Sequence, residues 1–537
     1  MTVPMTVSFV VLSDILLTGL LMLANRQATP VAAGRGFTVP FRAYGIGHLT
    51  CGFVASLVYP LLLVIFDRPI TSFALGLLLI VLLWAGNRLK VAILSEVLVF
   101  SDVFLAGHAL RYPRLYFGYA PLWVWPLVVG AFALLAWGVS LEPAAHLGSI
   151  GARIGVAAVI LSVFAGFVAL VRRPDSRVKA FLANYPLTFD TQTDAATYTP
   201  IGAALLHSLW HGQRRLALRE RFCFEKRDVS SEEDSQGVSG ESEKRHLLLV
   251  QAESLAPIGR LLGRPSVTPV LDRLAVEGTS GALELDWRGA YTMRSEFAVL
   301  TGLKPRELET YGFDPYRLAA LVPMESLARR MKRLGYRTVV CHPNDGRFFD
   351  RNRVMPNLGF DEFIDLEALK KLDARFTKPE AYCGHYVSDE ALLGWAAEYL
   401  EKAEEPVFLF VVTMEAHGPW SKDKFPGAEK LTEVERYETH LKHLDAGVRR
   451  IVEAEEGRKA SEAPSRGIDL CLYGDHLPGL GVLRGREDEI PSDTLWVRWP
   501  RHDRAISSNM RPEQLMTINS TYPNSHDHPN KQNLPNF

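Results

Sequence analysis

The hydrophobic and polar positions divide the chain into two parts. Residues 1–173 contain long, almost uninterrupted apolar segments, near 6–24, 45–66, 71–86, 120–139 and 153–171. A membrane-spanning helix needs roughly 20 mostly apolar residues, with a range near 17–25, and only 71–86 falls short of that range. Buried helices of a soluble protein would keep a polar face. The pattern therefore predicts a membrane domain with about five spans over residues 1–173.

Residues 87–117 break this pattern, because charged side chains are mixed with apolar ones there. Such a mixture is typical of a helix that lies in the membrane interface rather than across it. With five spans, most basic residues of the first part would lie on the same side as the C-terminal part. The positive-inside rule would place that side in the cytoplasm, although a basic interfacial helix that binds anionic lipid would produce the same charge pattern.

Residues 174–245 contain a helical pattern, from Ile201 to Leu218, followed by a run rich in Glu, Ser, Lys and Asp. This composition is typical of a linker or a surface loop. From residue 246, apolar runs alternate with amphipathic segments, and the clearest runs are His246–Gln251, Tyr336–Cys341, Pro406–Thr413 and Ile468–Tyr473. Alternating strands and helices predict an α/β domain with a mainly parallel, doubly wound sheet covered on both faces.

This domain is expected to span residues 246–505 and to be followed by a disordered tail at 506–537, whose end is rich in Asn, Pro, His and Ser. The net charge of the chain is −1, so no overall basic field favours a nucleic acid as partner. The five cysteines show no CxxC or zinc-finger spacing. This arrangement favours buried or free thiols over a disulfide framework.

Reactive side chains follow the predicted strands. Glu253 comes after the first of these strands, and Asp475 and His476 come directly after the last. In a doubly wound sheet, the carboxyl ends of the strands meet at one rim. Two carboxylates and one imidazole suit Mn²⁺, Mg²⁺, Ca²⁺ or Zn²⁺ better than a soft metal. The sequence therefore predicts a site for one divalent metal ion at this rim.

Thr292 opens a predicted helix and would complete the site. A threonine hydroxyl is a weak nucleophile until metal coordination lowers its pKa, and a helix N-terminus favours anions such as phosphate. The alternative is that Thr292 caps the helix, which is the usual role of threonine at a helix start. The two roles are compatible.

A second set of polar residues follows the middle strands. His342 and Asn344 come after one strand, Arg351 lies a few residues further on, and His417 follows the next. Arginine suits phosphate oxygens through its forked donors, and a histidine can donate to phosphate or protonate a leaving alkoxide. A loop histidine bonded to backbone and a surface arginine are the structural alternatives. Glu415 is equally consistent with a loop carboxylate and a metal ligand.

In the order of these residues, the chain resembles the lipoteichoic acid synthase and phosphoglycerol transferase branch of the alkaline phosphatase/sulfatase superfamily. The order is Glu253, Thr292, His342, His417 and then Gly474-Asp475-His476. Two further stretches match the branch as well, Thr268–Leu274 before the nucleophile and Phe349-Asp350-Arg351 after the first substrate histidine. The resemblance covers roughly residues 246–500.

The resemblance implies an alkaline phosphatase-type catalytic domain outside the cytoplasm, attached to a bacterial inner membrane by several spans. One divalent ion, commonly Mn²⁺, would be held by Glu253, Thr292, Asp475 and His476. Phosphatidylglycerol would be the donor: Thr292 would attack its phosphorus, expel diacylglycerol and pass the glycerophosphate to an acceptor hydroxyl. The substrate would be bound by His342, Asn344, Arg351 and His417.

Two departures from this branch leave the acceptor open. Arg294 stands where the branch tends to be acidic or polar, and Asn344 stands where it carries an acid. A glycan and a growing polyglycerolphosphate chain are both consistent acceptors. A sulfatase-like phosphodiesterase and a phosphoethanolamine transferase are the alternatives on the same scaffold. The segment Tyr291–Arg294 lacks the Cys/Ser-x-Pro-x-Arg motif of sulfatases, which argues against sulfate esters as substrates.

Overall fold

The computed structural model of the protein describes residues 3–28, 41–103, 107, 111–112, 124–224, 244–287, 289–460, 466–483, 486, 490, 492–501 and 509–515. The helices are α1 (Val3–Gln27), α2 (Phe41–Phe66), α3 (Pro69–Leu94), α4 (Val124–Leu141), α5 (Ile150–Arg172), α6 (Ser176–Leu182), α7 (Thr191–Tyr198), α8 (Pro200–Phe222), α9 (Ile258–Leu262), α10 (Pro269–Glu277), α11 (Thr292–Thr301), α12 (Tyr316–Ala319), α13 (Leu327–Arg333), α14 (Arg351–Asn357), α15 (Leu366–Leu372), α16 (Asp389–Glu401) and α17 (Glu433–Ala460). The strands are β1 (His246–Ala252), β2 (Thr279–Leu283), β3 (Arg337–Cys341), β4 (Glu362–Ile364), β5 (Tyr382–Cys383), β6 (Tyr386–Val387), β7 (Val407–Val412), β8 (Ile468–Gly474), β9 (Thr494–Trp499) and β10 (Asn509–Met510).

The chain forms two compact units. One contains Met1–Leu218 and Pro305–Asp314, and the other contains Arg219–Lys304 and Pro315–Phe537. Within the described residues of the first unit, four helices are long and apolar enough to cross a membrane, over Val7–Gln27, Gly45–Phe66, Pro69–Ala92 and Ile150–Arg172.

The described parts of the five predicted apolar segments are helical, but their lengths differ from the prediction. The third segment, expected to be short, belongs to the 26-residue helix α3, because the helix continues past Asn87 to Leu94. In α4 the described apolar part, Val128–Leu141, is too short to count as a span. The structure therefore supports four candidate spans instead of five among the residues it describes.

The interfacial helix predicted over 87–117 is not a single helix in the part that is described. Its first residues belong to α3, which ends where Ser95 takes a left-handed conformation with φ 53°. Beyond that point the chain is irregular as far as Val99, and Lys90 of the helix pairs with Asp102 at 2.7 Å. Residues 104–106, 108–110 and 113–117 lie outside the described part.

The predicted linker, 174–245, is largely helical up to residue 222. Helices α6 and α7 are only seven and eight residues long, so they carry few apolar positions and their periodicity is weak in sequence. Packing identifies them instead, because Leu182, Tyr198 and Leu206 share one buried cluster. The polar run at 225–243 lies outside the described residues.

The second unit is built on an eight-stranded sheet with the order β10-β2-β9-β8-β1-β7-β3-β4. Strand β9 is antiparallel to β8 and β2, and the other neighbouring pairs are parallel. Strands β5 and β6 form a separate antiparallel hairpin. The prediction of a mainly parallel α/β sheet is confirmed.

The central strands β1, β7 and β8 are buried at every position, as expected for parallel strands with layers on both faces. On one face, alternate residues such as Leu248 and Val250 share a core with α10, α16 and α17. On the opposite face, the ring of Phe360 stacks on Phe408 and Phe410 of β7. The two layers leave the carboxyl ends of the strands as the edge where polar residues gather.

The disordered tail predicted from residue 506 is wrong for residues 509–515. Asn509 and Met510 pair in parallel with Ala282 and Leu283 of β2, and residues 512–515 form a helical turn that buries Leu515. The buried side chains of this segment are few, namely Met510, Pro512 and Leu515, so the polar composition around them concealed it. Residues 516–537 lie outside the described part.

Candidate metal centre and active site

The pairing of β1 with β8 places the first two predicted ligands side by side. Gln251 pairs with Tyr473 and Ala252 pairs with Gly474, so Glu253 and Asp475 leave the sheet at the same level. A Cβ atom at Gly474 would lie 1.9 Å from the carbonyl oxygen of Leu255. Glycine is therefore required where β8 ends, because any side chain there would push the Leu255 backbone away from the site.

Glu253, Asp475 and His476 each offer a ligand atom, and these three atoms lie within 4.8 Å of one another. Nε2 of His476 is 3.4 Å from a carboxylate oxygen of Glu253 and 3.4 Å from Oδ2 of Asp475. Nδ1 of the same ring is 3.0 Å from the carbonyl of Leu477. Because Nδ1–H donates there, Nε2 carries the lone pair that a metal ligand needs.

The electrostatics of this cluster favour a cation. Oδ1 of Asp475 accepts from the backbone N–H groups of Ser254 and His476, at 2.8 and 3.0 Å. Its Oδ2 is buried and accepts no hydrogen bond from the residues that are described. Burial raises the pKa of Asp475 to about 6. Burial opposes the charged form of His476 too, but the carboxylates of Asp475 and Glu253 outweigh it and raise the pKa of the imidazole.

These observations fit a divalent metal ion. Two carboxylates and an imidazole converge in a buried space, and one carboxylate oxygen accepts no hydrogen bond from the described part of the chain. Hard oxygen ligands with one imidazole suit Mn²⁺, Mg²⁺ or Zn²⁺. A bound ion would offset the repulsion between the acids, which otherwise favours protonation of Asp475.

Thr292 is the first residue of α11 and faces the same cluster. Its Oγ1 is 3.2 Å from Nε2 of His476. The N-cap position belongs to Tyr291, so the alternative reading of Thr292 as the cap is wrong. Ser295, one turn further on, donates from Oγ to the backbone carbonyl of Asp475 at 2.5 Å and ties the start of the helix to the end of β8.

Arg351 and His342 form a separate buried cluster with Glu296 of α11. The guanidinium of Arg351 donates from Nε and Nη2 to the two Glu296 oxygens, at 3.2 and 2.8 Å, and both side chains are at most 1% exposed. Although burial alone would lower it, Glu296 raises the pKa of Arg351. Nη1 of Arg351 is 3.3 Å from Nε2 of His342. We call these three residues the arginine cluster.

The arginine cluster sets the protonation of His342. Burial and the neighbouring Arg351 lower the pKa of His342 well below its usual value. The ring is therefore neutral: Nδ1–H points to the carbonyl of Val412 at 3.4 Å and Nε2 accepts from Arg351. A neutral histidine in this arrangement cannot protonate a leaving alkoxide.

The loop before Arg351 is strained, since Phe349 and Asp350 have φ of 56° and 54°.

The other two predicted substrate residues lie in loops at the same edge of the sheet. His417 donates from Nδ1 to the carbonyl of Gly418 at 2.7 Å, and burial and Lys424 lower its pKa to about 4. Oδ1 of Asn344 accepts from the N–H of Asp345 at 2.9 Å. Its Nδ2 is buried and makes no hydrogen bond to the described residues, so this amide is a free donor.

Two residues near the site were not predicted from the sequence. Glu296 neutralises Arg351, and the signal for it was a carboxylate directly before the apolar run Phe297–Leu300 of α11, because a buried carboxylate requires a partner. Lys424 donates to the carbonyl of His417, and burial lowers its pKa to about 8. No local pattern marks Lys424, because its surroundings come from distant parts of the chain.

Several known proteins are similar to this chain in sequence or structure. The capsular polysaccharide biosynthesis protein RkpI of Rhizobium meliloti (strain 1021) is 28% identical over 453 residues, which cover 82% of this chain and 78% of that protein. The structure of the lipoteichoic acid synthase LtaP from Listeria monocytogenes has 20% identity and a TM-score of 0.40, and the match covers 51% of this chain and 71% of LtaP. The Streptococcus pyogenes phosphoglycerol transferase GacH has 20% identity and a TM-score of 0.40, with 57% and 78% covered.

The sulfatase family matches residues 245–530. This range contains the whole eight-stranded sheet and each residue of the candidate metal centre. Because the match spans more than half of the chain, the chain belongs to the sulfatase family.

Proposed function

We propose that the protein is a membrane-bound, metal-dependent phosphoglycerol transferase. The donor is phosphatidylglycerol, and the glycerophosphate passes through Thr292 to a glycan or polyglycerolphosphate acceptor. The observation that carries the proposal is the contact between Oγ1 of Thr292 and Nε2 of His476 at 3.2 Å. This contact supports the proposal, because the Thr292 hydroxyl lies at a helix N-terminus and beside side chains that suit a divalent metal ion.

Glu253, Thr292, Asp475 and His476 would hold the ion. We expect Mn²⁺ because the resemblance to the phosphoglycerol transferase branch implies it; the ligand types themselves suit Mg²⁺ and Zn²⁺ as well. When bound, a divalent ion lowers the pKa of a coordinated hydroxyl and stabilises charge on phosphate oxygens. The chain contributes the geometry. Ser295 ties α11 to the backbone of Asp475, and the N-terminus of α11 favours the phosphate.

In the first step, Oγ of Thr292 forms a bond to phosphorus and the bond from phosphorus to the diacylglycerol oxygen breaks. Diacylglycerol leaves with the proton that Thr292 gives up, by way of solvent, and glycerophospho-threonine remains. In the second step, an acceptor hydroxyl forms the new bond to phosphorus, and the bond to Thr292 breaks. The acceptor proton restores the Thr292 hydroxyl.

The substrate residues act as positioning groups in this scheme. His417 is neutral at pH 7, because its pKa is lowered to about 4, and Nε2 would bind the glycerophosphate by accepting a hydrogen bond from a glycerol hydroxyl. Asn344 would donate from its unpartnered amide. Arg351 and His342 would position the part of the site that binds the phosphate. They would do so through the arginine cluster, because Arg351 is already paired to Glu296.

The acceptor and the location are also part of the proposal. A glycan acceptor agrees with the name of the Rhizobium relative, a capsular polysaccharide biosynthesis protein. The apolar helices would anchor the chain in a bacterial inner membrane, with the catalytic unit outside the cytoplasm, where envelope glycans are found. Protease treatment of intact spheroplasts should cleave the catalytic unit; cleavage only after lysis would contradict this orientation.

The mechanism is tested by incubating the purified full-length protein with radiolabelled phosphatidylglycerol and Mn²⁺. Wild type should release diacylglycerol and carry label on the protein, in a peptide that contains Thr292. Thr292→Ala should do neither. The matched control is Thr301→Ala at the other end of the same helix. The Thr301 hydroxyl donates to the carbonyl of Phe297 and accepts from the backbone N–H of Leu303, so its loss should leave release unchanged.

Two outcomes would contradict the proposal. Equal diacylglycerol release by wild type and Thr292→Ala would remove Thr292 from the reaction. Release of free glycerophosphate at the same rate with and without glycan acceptors would mean that water is the acceptor and that the protein is a phosphodiesterase.

A further inference from the structure

We propose that Cys383, Glu415, His440 and His443 form a second metal site, which binds zinc and braces the loop that carries His417. We call these residues the Cys–His cluster. None of its four residues belongs to the candidate metal centre, and only its expected effect on the donor lipid rests on the transferase function proposed above.

The geometry of the cluster suits one ion. Each of the four residues offers one ligand atom, and all four atoms lie within 4.8 Å of one another. Oε1 of Glu415 is 2.8 Å from Nδ1 of His440 and 2.5 Å from Nδ1 of His443, and Sγ of Cys383 is 3.8 Å from Nδ1 of His440. Ligands at 2.0–2.3 Å from a tetrahedral zinc are about 3.3–3.8 Å apart, so small side-chain movements suffice.

The residue types select the metal. A thiolate and two imidazoles favour zinc over Mn²⁺, Mg²⁺ or Ca²⁺, which prefer oxygen ligands. Four protein ligands leave no open position for substrate or water, and closed sites of this kind are structural. The cluster therefore differs in chemistry from the candidate metal centre, which has no sulfur ligand and includes a hydroxyl nucleophile.

The ligands come from three separate elements of the fold. Cys383 lies on the β5–β6 hairpin, Glu415 follows β7, and the two histidines lie three residues apart on α17, where such a spacing places them on one face. The backbone N–H of Asp389, at the start of α16, donates to the other Glu415 oxygen at 2.7 Å. This contact orients the carboxylate from behind, as outer partners of metal ligands do.

The burial of the four ligands suits a bound ion that can enter from solvent. Glu415 and His440 are fully buried and Cys383 is 8% exposed, while the side chain of His443 is 35% exposed. Three ligands are thus shielded from solvent, and the fourth lies at the surface. A zinc ion could enter past His443 without unfolding of the domain.

The position of Glu415 links this site to the active site. Glu415 precedes His417 by two residues, and Thr413, two residues before Glu415, accepts the backbone N–H of Glu253 at 3.0 Å. A metal on Glu415 would hold this loop against α17 and the hairpin. We expect loss of the metal to loosen the His417 loop and so to raise the KM for the donor lipid more than it lowers kcat.

The site is tested by metal analysis of the full-length protein purified with zinc under reducing conditions. The background variant is Asp475→Asn, which removes a ligand of the other centre. This variant should retain one equivalent of zinc. Adding Cys383→Ser or His443→Asn should remove it. Two matched controls should retain the zinc. One is Cys223→Ser, and the other is His385→Asn on the exposed turn of the β5–β6 hairpin.

Cobalt provides a readout that only a sulfur-containing site can produce. Replacement of zinc by Co²⁺ should give a near-ultraviolet thiolate-to-cobalt charge-transfer band together with the visible bands of tetrahedral cobalt. Cys383→Ser should lose the charge-transfer band. His443→Asn is the second variant, and it should stay folded because the His443 side chain is partly exposed. Absence of both zinc and the band in the Asp475→Asn protein would overturn the proposal and leave a metal-free, hydrogen-bonded cluster. A band that survives Cys383→Ser would overturn it as well.

Discussion

The candidate metal centre and the arginine cluster lie at the same edge of the sheet, yet their charges are balanced in opposite ways. In the metal centre, Glu253 and Asp475 face one histidine, and Oδ2 of Asp475 lacks a donor within the described residues. In the arginine cluster, Arg351 and Glu296 satisfy each other through two hydrogen bonds. The first cluster needs an external cation, and the second is complete without one.

This difference shows that location at the strand ends does not by itself assign a role. Both clusters contain the residue types expected of a phosphate-transfer site. Only the excess of negative charge in the metal centre indicates what it binds. The paired charges of the arginine cluster indicate that its first task is to hold α11 against the loop before α14. The following predictions test this contrast.

The largest expected effect is on activity. Asp475→Asn removes a ligand without changing the size of the side chain, and it should lower diacylglycerol release by about 10³-fold or more, because the group that activates Thr292 would be lost. Release is measured with labelled phosphatidylglycerol at saturating Mn²⁺. Activity within tenfold of wild type would show that the excess charge of this centre has no catalytic purpose.

The next effect is on stability, and it concerns the arginine cluster. Glu296→Gln leaves the buried Arg351 without a countercharge and should lower the free energy of unfolding by about 3–5 kcal/mol. Denaturant unfolding of the detergent-solubilised protein measures the change. The control is Glu367→Gln, which removes a surface ion pair with Lys370 and should cost less than about 0.5 kcal/mol. Equal effects would mean that the cluster is not the self-balanced unit described above.

In the metal centre, replacing a carboxylate by its amide should raise the free energy of unfolding instead of lowering it. The folded pKa of Asp475 is about 6, above its ordinary value of 3.8. The protonated Asp475 carboxyl therefore contributes stability that is fully present below pH 3.8. This contribution is lost as the pH rises through 6, because the folded protein must then bury a charged carboxylate. Without metal at pH 8, Asp475→Asn should therefore be more stable than wild type, by about 1–3 kcal/mol. A less stable variant at pH 8 would contradict the excess of negative charge.

The last effect is the stabilisation by metal, which is expected to be similar in size to the previous one. Mn²⁺ at 100 times its dissociation constant should stabilise wild type by about 2.7 kcal/mol at pH 8. The shift should fade below about pH 6, where protons compete for Asp475. Thermal unfolding followed by tryptophan fluorescence gives the shift, with Asp475→Asn as the control that should not respond. A shift of equal size at pH 5 and pH 8 would place the Mn²⁺ elsewhere.

Much of the fold and part of the site follow from the sequence. The alternation of apolar runs and amphipathic segments predicted the sheet. The position of Glu253, Asp475 and His476 just after β1 and β8 predicted them as site residues. These predictions depend on local order, since a parallel sheet brings its carboxyl ends together whatever the loops do. The short helices at 176–198 and the strand at 509–510 were missed, because packing holds them and their own periodicity is weak.

The Cys–His cluster illustrates what the sequence leaves open. The cysteines were expected to be buried or free thiols, and Glu415 was equally consistent with a loop residue and a ligand. Cys383, Glu415 and the two histidines lie on a hairpin, a loop and a long helix, and no spacing along the chain joins them. Only the packing of α17 and the hairpin against the end of β7 brings the four ligand atoms together.

By itself, the sequence determined an apolar N-terminal part, a parallel α/β domain and the residues that its strand ends must present, because these depend on periodicity and on order along the chain. The tertiary structure alone decided which of those residues are already neutralised and which still need a partner. Charge balance in a buried site depends on contacts between distant segments. Glu296 of α11 meets Arg351, whereas the ion-pair partner of Asp475 among the described residues is the neighbouring His476.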